Sequence, residues 1–99
     1  MPKIKKTVTK DANELAEALE LTPADAVEWI MRHRLTEKII DTVKKNRLTA
    51  SEIAKGAQTS RARVTRILKG DTQGISIDVL LRVLGAAGQT IRITFTKAA

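Results

Sequence analysis

Residues 48–70, LTASEIAKGAQTSRARVTRILKG, constrain the fold more than any other stretch of the chain. Thr49, followed three residues later by Glu52, forms a capping box that opens a short helix over about 50–56. Ile53, Ala54 and Ala57 are its apolar positions. Gln58-Thr59 leaves only a tight connection before Ser60 caps a second helix over 61–69. Val64, Ile67 and Leu68 face inward on that helix. Gly70 follows it where a left-handed residue is wanted.

The flanks read as further helices. Thr22-Pro23 is a start signal, a capping side chain before a proline at the first helical position, and Asp25 suits the first turn. Val27, Ile30, Met31, Leu35, Ile39, Ile40 and Val43 then recur at three- and four-residue steps, with no Gly or Pro between 24 and 46. This is one long helix, or two with a bend near Arg34–Glu37. Trp29 is expected in its core face. Lys44, Lys45 and Arg47 crowd its C-terminal end. Upstream, Asp11 with Glu14 caps a short helix over 12–20 with Leu15, Ala16 and Leu19 as its stripe. Downstream, Ser76 caps a helix over 77–86 with Val79, Leu80, Val83 and Leu84 inward. Residues 89–96, QTIRITFT, alternate as a half-buried strand with Ile91, Ile93 and Phe95 on one face. The expected division is a basic N-terminal arm over 1–10 (an edge strand being the lesser alternative), a helical domain over 11–88, and a C-terminal strand and tail over 89–99.

Two short helices joined by a tight turn make a helix-turn-helix, whose second helix enters the major groove of duplex DNA. Such a helix needs a small aliphatic core face and a polar, cationic outer face. Here Ala54 and Val64 sit at the close contact, and Ala62, Arg66 and Lys69 point furthest out. Arg63 and Thr65 lie on the flanks, and Arg61 projects from the first turn. Arginine grips guanine O6 and N7 in a bidentate fork, and the Thr65 methyl suits a thymine methyl. The same corner also occurs as plain packing, and a run of cations is usually a solvated face. Against that reading stand the capping box, an outer face without an acid, and the net charge of +7.

The charge is unevenly placed. Asp11, Glu14, Glu17, Glu20, Asp25 and Glu28 make 11–28 wholly acidic, between a lysine arm and a basic remainder. One face, rather than the whole surface, should meet an anion. Trp29 and Phe95 are the only aromatic residues, which disfavours a base-stacking binder of RNA or single strands. The absence of cysteine excludes disulfides and Cys-ligated zinc. Lone His33 reads as a solvated helix residue, the acid pairs as surface carboxylates, and the glycines as helix stops rather than a phosphate loop. No metal, cofactor, membrane span or catalytic group is expected, and the chain reads as a cytoplasmic protein that is not an enzyme.

From about Arg34 to Ala87 the sequence resembles the phage-repressor/Cro-like, or Xre, helix-turn-helix family. The resemblance is carried by L-T-A-S-E-I-A at 48–54 and T-S-R-A-R-V-T-R-I-L-K-G at 59–70. The closing A-A-G-x-x-I-x-I at 86–93 is similar to HigA-type antitoxins and their stand-alone relatives. The resemblance implies a mostly α fold, a repressor-like five-helix core with a C-terminal β-strand used in dimerisation. It implies base contacts from Arg61, Ala62, Thr65 and Arg66, and phosphate contacts from Thr49 and Ser60. Lys45, Arg47, Arg63 and Lys69 complete the expected DNA-binding set. Ile91, Ile93 and Phe95 are the expected dimer seam, since a lone strand needs a partner and the same strand of a second chain is the simplest one; the rival is pairing with the 3–8 segment inside one chain. Ala50 departs from the pattern, since many members have a phosphate-gripping glutamine there. The implied function is a sequence-specific regulator, a repressor acting as a homodimer on a palindromic operator, with a RelE-like toxin as a further partner if the chain is an antitoxin. The alternative is a protein-interaction module that neutralises a basic partner through 11–28; an RNA-binding role is disfavoured.

Overall fold

A computed structural model of the chain describes Glu17 and residues 22–97. Four helices follow in order: α1, Pro23–Asn46; α2, Ala50–Ala57; α3, Arg61–Leu68; and α4, Ile77–Ala86. The expected arm over 1–10 lies outside the described residues, as does the 12–20 helix apart from Glu17. Against the expected five-helix core, the described residues form four helices.

The expected start of α1 is built as read. The Asp25 N–H donates to Thr22 Oγ1 at 3.1 Å, and Pro23 opens the helix. The helix then runs unbroken for 24 residues, so the two-helix alternative falls. Thr36, Ile39, Thr42 and Val43 are buried in its C-terminal half; in the N-terminal half Ala26 is buried, while Val27, Trp29 and Met31 are exposed. Trp29 is therefore not a core residue. Its ring stacks on His33, centroids 5.1 Å apart and planes within 8°, on the surface of α1. The apolar spacing continues through 27–31, but Val27, Ile30 and Met31 are not part of the main core cluster.

α2 opens on the complete Thr49–Glu52 capping box. It closes with the Thr59 N–H donating to the Ala54 carbonyl at 3.0 Å, which forces Gln58 into the left-handed region at φ 54°. α3 closes in the same way. Asp71 N–H reaches the Arg66 carbonyl at 3.0 Å and Gly70 N–H the Ile67 carbonyl at 2.9 Å, with Gly70 at φ 84°. Ser76 occupies the N-cap of α4, but its hydroxyl takes no capping hydrogen bond, contrary to expectation. Its carbonyl accepts from Val79 and Leu80 instead.

α4 packs against α1 and α2, and α3 against α2 and α1. Ile39, Ile53, Val64, Ile67, Leu80 and Val83 are the largest fully enclosed side chains. Ile75, from the loop before α4, closes this aliphatic core. Beyond it, Gln89 Nε2 donates to Thr42 Oγ1 at 3.2 Å and ties the chain to α1. The expected strand over 89–96 is not formed among the described residues. A strand exists only by pairing, and nothing described pairs with this one. Ile93 and Phe95 are left 71% and 92% exposed rather than half-buried. No helix among the described residues is long and apolar enough to cross a membrane.

Candidate nucleic-acid interface

Burial on α3 divides as the sequence requires. Val64 and Ile67 are enclosed, Thr65 and Leu68 half-buried, and Arg61, Ala62, Arg63, Arg66 and Lys69 exposed. The first turn holds no acid. Ser60 Oγ accepts from the Arg63 N–H at 3.1 Å and fixes where the helix begins. The Arg61 and Ala62 amides in that turn have no intrahelical acceptor, as the geometry of a helix start requires. Their positive dipole end favours an anion.

The other expected residues stand at helix ends. Lys45 lies exposed in the last turn of α1, and Arg47, at φ 55°, forms its left-handed cap. Thr49 follows at the start of α2, though its polar groups are already engaged. Its N–H and hydroxyl both meet Glu52 Oε1 at 2.9 Å, and its Oγ1 accepts from the Glu52 N–H at 3.1 Å. The Thr49 backbone and hydroxyl donors hold the Glu52 carboxyl below its ordinary value.

Arg66 is engaged more fully still. Its Nε–H donates to Asp71 Oδ2 at 3.1 Å, and one amino nitrogen donates to Asp71 Oδ1 at 3.3 Å and to the Gln73 carbonyl at 2.6 Å. Donating to the Asp71 carboxylate raises Arg66 above its ordinary value, and Arg66 in turn lowers the Asp71 carboxyl. Among the described residues, Arg61, Arg63 and Lys69 lie within ion-pairing distance of no carboxylate.

Sequence reasoning missed Arg32. From α1 it donates to the Thr72 carbonyl at 3.1 Å and to that of Ile75, while Glu28 holds its other side at 3.5 Å. The loop between α3 and α4 is thus pinned by two arginines, one from each neighbouring helix. Nothing in the local pattern marks Arg32, because its acceptors are carbonyls some forty residues away. Beside it Trp29, His33, Thr36, Gly70 and Thr72 line a cleft of about 120 Å³. That is well below the roughly 300 Å³ at which drug-sized ligand sites begin. No group of three or more metal-ligating side chains is found among the described residues.

No curated protein and no solved structure matches the chain. A helix-turn-helix domain profile matches residues 15–96, which takes in all four helices and most of the C-terminal segment. By that match, and by the cationic second helix at its corner, the chain belongs to the DNA-binding helix-turn-helix domain family.

Proposed function

We propose that the chain is a sequence-specific regulator of transcription, a repressor of the Xre kind that binds a palindromic duplex as a homodimer. The observation that carries this reading is α3 itself. It buries Val64 and Ile67 and turns an acid-free first turn and Arg61, Arg63, Arg66 and Lys69 to solvent. In this reading Arg61, Ala62, Thr65 and Arg66 address base edges. Ser60, Arg63 and Lys69 address phosphates, as do Lys45 and Arg47 from the neighbouring helix ends, and Thr49 once its hydroxyl turns from Glu52. Ile91, Ile93 and Phe95 join the two copies.

Selection from a random duplex pool, followed by salt titration, tests it. With about six to ten phosphates contacted per dimer, affinity falls by roughly 10³–10⁵ between 50 and 200 mM salt. Failure to recover any duplex, or binding indifferent to salt, overturns it. The antitoxin setting rests on the A-A-G-x-x-I-x-I ending and on the acids of 11–28, of which Asp25 and Glu28 are exposed on α1. Reversing Glu14, Glu17 and Glu20 to lysine then abolishes binding of the adjacent gene's cationic product and leaves duplex binding intact.

A further inference from the structure

A guanidinium has five N–H donors, and an end-on fork to guanine needs one from each terminal nitrogen. On Arg66 the Nε–H and one amino nitrogen meet Asp71, and that same nitrogen also meets the Gln73 carbonyl. Both hydrogens of that nitrogen are therefore in use. Only the other amino group is left, and alone it makes no fork. The most outward arginine of the DNA-facing helix is thus held in a pose that cannot make the guanine fork.

We propose that Asp71 is a specificity-determining positioning residue, which competes with DNA for Arg66 and releases it only to a correctly placed guanine. The inference rests on the DNA-binding reading above and deepens it. Its logic is a comparison of magnitudes. An exposed carboxylate–arginine pair shifts an equilibrium by roughly fivefold at most. A well-placed guanine fork is worth roughly 5- to 150-fold against the wrong base. Guanine at the right step therefore displaces Asp71. A lone phosphate on any other sequence competes poorly, so Arg66 stays home and adds nothing to non-specific binding. Release does not dismantle the loop, because Arg32 still holds the Thr72 and Ile75 carbonyls from the other side.

The test compares wild type, Asp71→Asn, Arg66→Ala and the double variant on two duplexes. One is the duplex that wild type recovers from a random pool, and the other is a scrambled duplex of equal composition. Asp78→Asn, which removes an exposed acid paired with Arg82 on α4, reports the effect of charge alone. Asp71→Asn raises affinity for the scrambled duplex by roughly two- to fivefold beyond Asp78→Asn, with one extra phosphate contact in the salt slope. Affinity for the selected duplex rises less, so discrimination falls. In the Arg66→Ala background the gain disappears. A gain that survives there, or discrimination unchanged in Asp71→Asn, overturns the proposal. In the free protein, the Arg66 Nε–H exchanges slowly in wild type and fast in Asp71→Asn. Equal exchange in the two overturns it independently of DNA. Recovery of no duplex by wild type is a different failure, which removes the DNA-binding reading and this inference with it.

Discussion

Single backbone angles carry much of the corner's geometry. Gln58 sits at φ 54° between α2 and α3, where a residue with a Cβ is disfavoured by roughly 1–2 kcal/mol. Glycine removes that strain but gives back roughly 0.4–1 kcal/mol through a freer unfolded chain. Gln58→Gly is therefore expected to stabilise the fold by about 0.5–1 kcal/mol, read as a higher denaturant midpoint at unchanged slope. Gly70→Ala, at φ 84°, should do the reverse. Thr49 offers a second check. Thr49→Ala removes the acceptor for the Glu52 N–H and costs about 1 kcal/mol at neutral pH. The sign with pH follows from Glu52. Its folded value is lowered, so its contribution is complete above the ordinary value of 4.5 and is lost as pH falls through the folded value. Carboxyl NMR should find the Glu52 midpoint below 4.5 in wild type and returned towards it in Thr49→Ala. A wild-type midpoint at or above 4.5 contradicts the capping box.

At the scale of elements, the helix starts were legible because their causes are local. Thr22-Pro23, Thr49 with Glu52, and Ser60 each act within a few residues. The inward face of α3 was legible for the same reason, since Val64 and Ile67 follow helical spacing alone. Trp29 and the 89–96 segment were misread because burial and strand pairing depend on what lies opposite. The Arg66–Asp71 pair was illegible, because it needs the chain reversal that Gly70 permits. Gly56 also escaped notice. A Cβ placed there would lie 3.2 Å from Ala86 Cβ, so its lack of a side chain lets α2 and α4 approach closely. Gly56→Ala is expected to realise less than the roughly 1 kcal/mol that helix propensity offers. Paired with Ala86→Gly in a double-mutant cycle, it should show a coupling of roughly 0.5 kcal/mol or more. Additive effects would mean that the two helices do not touch there. At the interface, Lys45→Ala should weaken every duplex alike and lower the salt slope by about one. Arg61→Ala should instead weaken the preferred duplex most, by roughly 1–3 kcal/mol.

At the scale of the whole molecule, one chain offers one α3, and a short recognition helix alone reads few base pairs. A two-fold copy sets two such helices about 34 Å apart on one side of a palindrome. In the proposed dimer, the surface for that copy is the segment after Gln89. No backbone N–H beyond Gln89 is hydrogen-bonded to a described residue outside regular structure, and the segment is in no strand. Its alternate side chains Ile91, Ile93 and Phe95 are 41%, 71% and 92% exposed. Unpaired backbone beside an apolar row is a template for another strand, and the same segment of a second chain, antiparallel about the two-fold, satisfies both at once. The cut that tests this must spare Gln89, because its amide holds buried Thr42 and so supports α1. Removing residues 90–99 should give a chain with wild-type helicity and thermal stability that sediments as a monomer. It should bind an isolated half-site as wild type does and lose its advantage on the full palindrome. Phe95→Lys, which leaves the backbone pairing groups in place, should weaken the dimer less than the deletion does. A truncated chain that still sediments as a dimer places the interface elsewhere, and the exposed end of α1 with Val27, Trp29 and Met31 becomes the next surface to mutate.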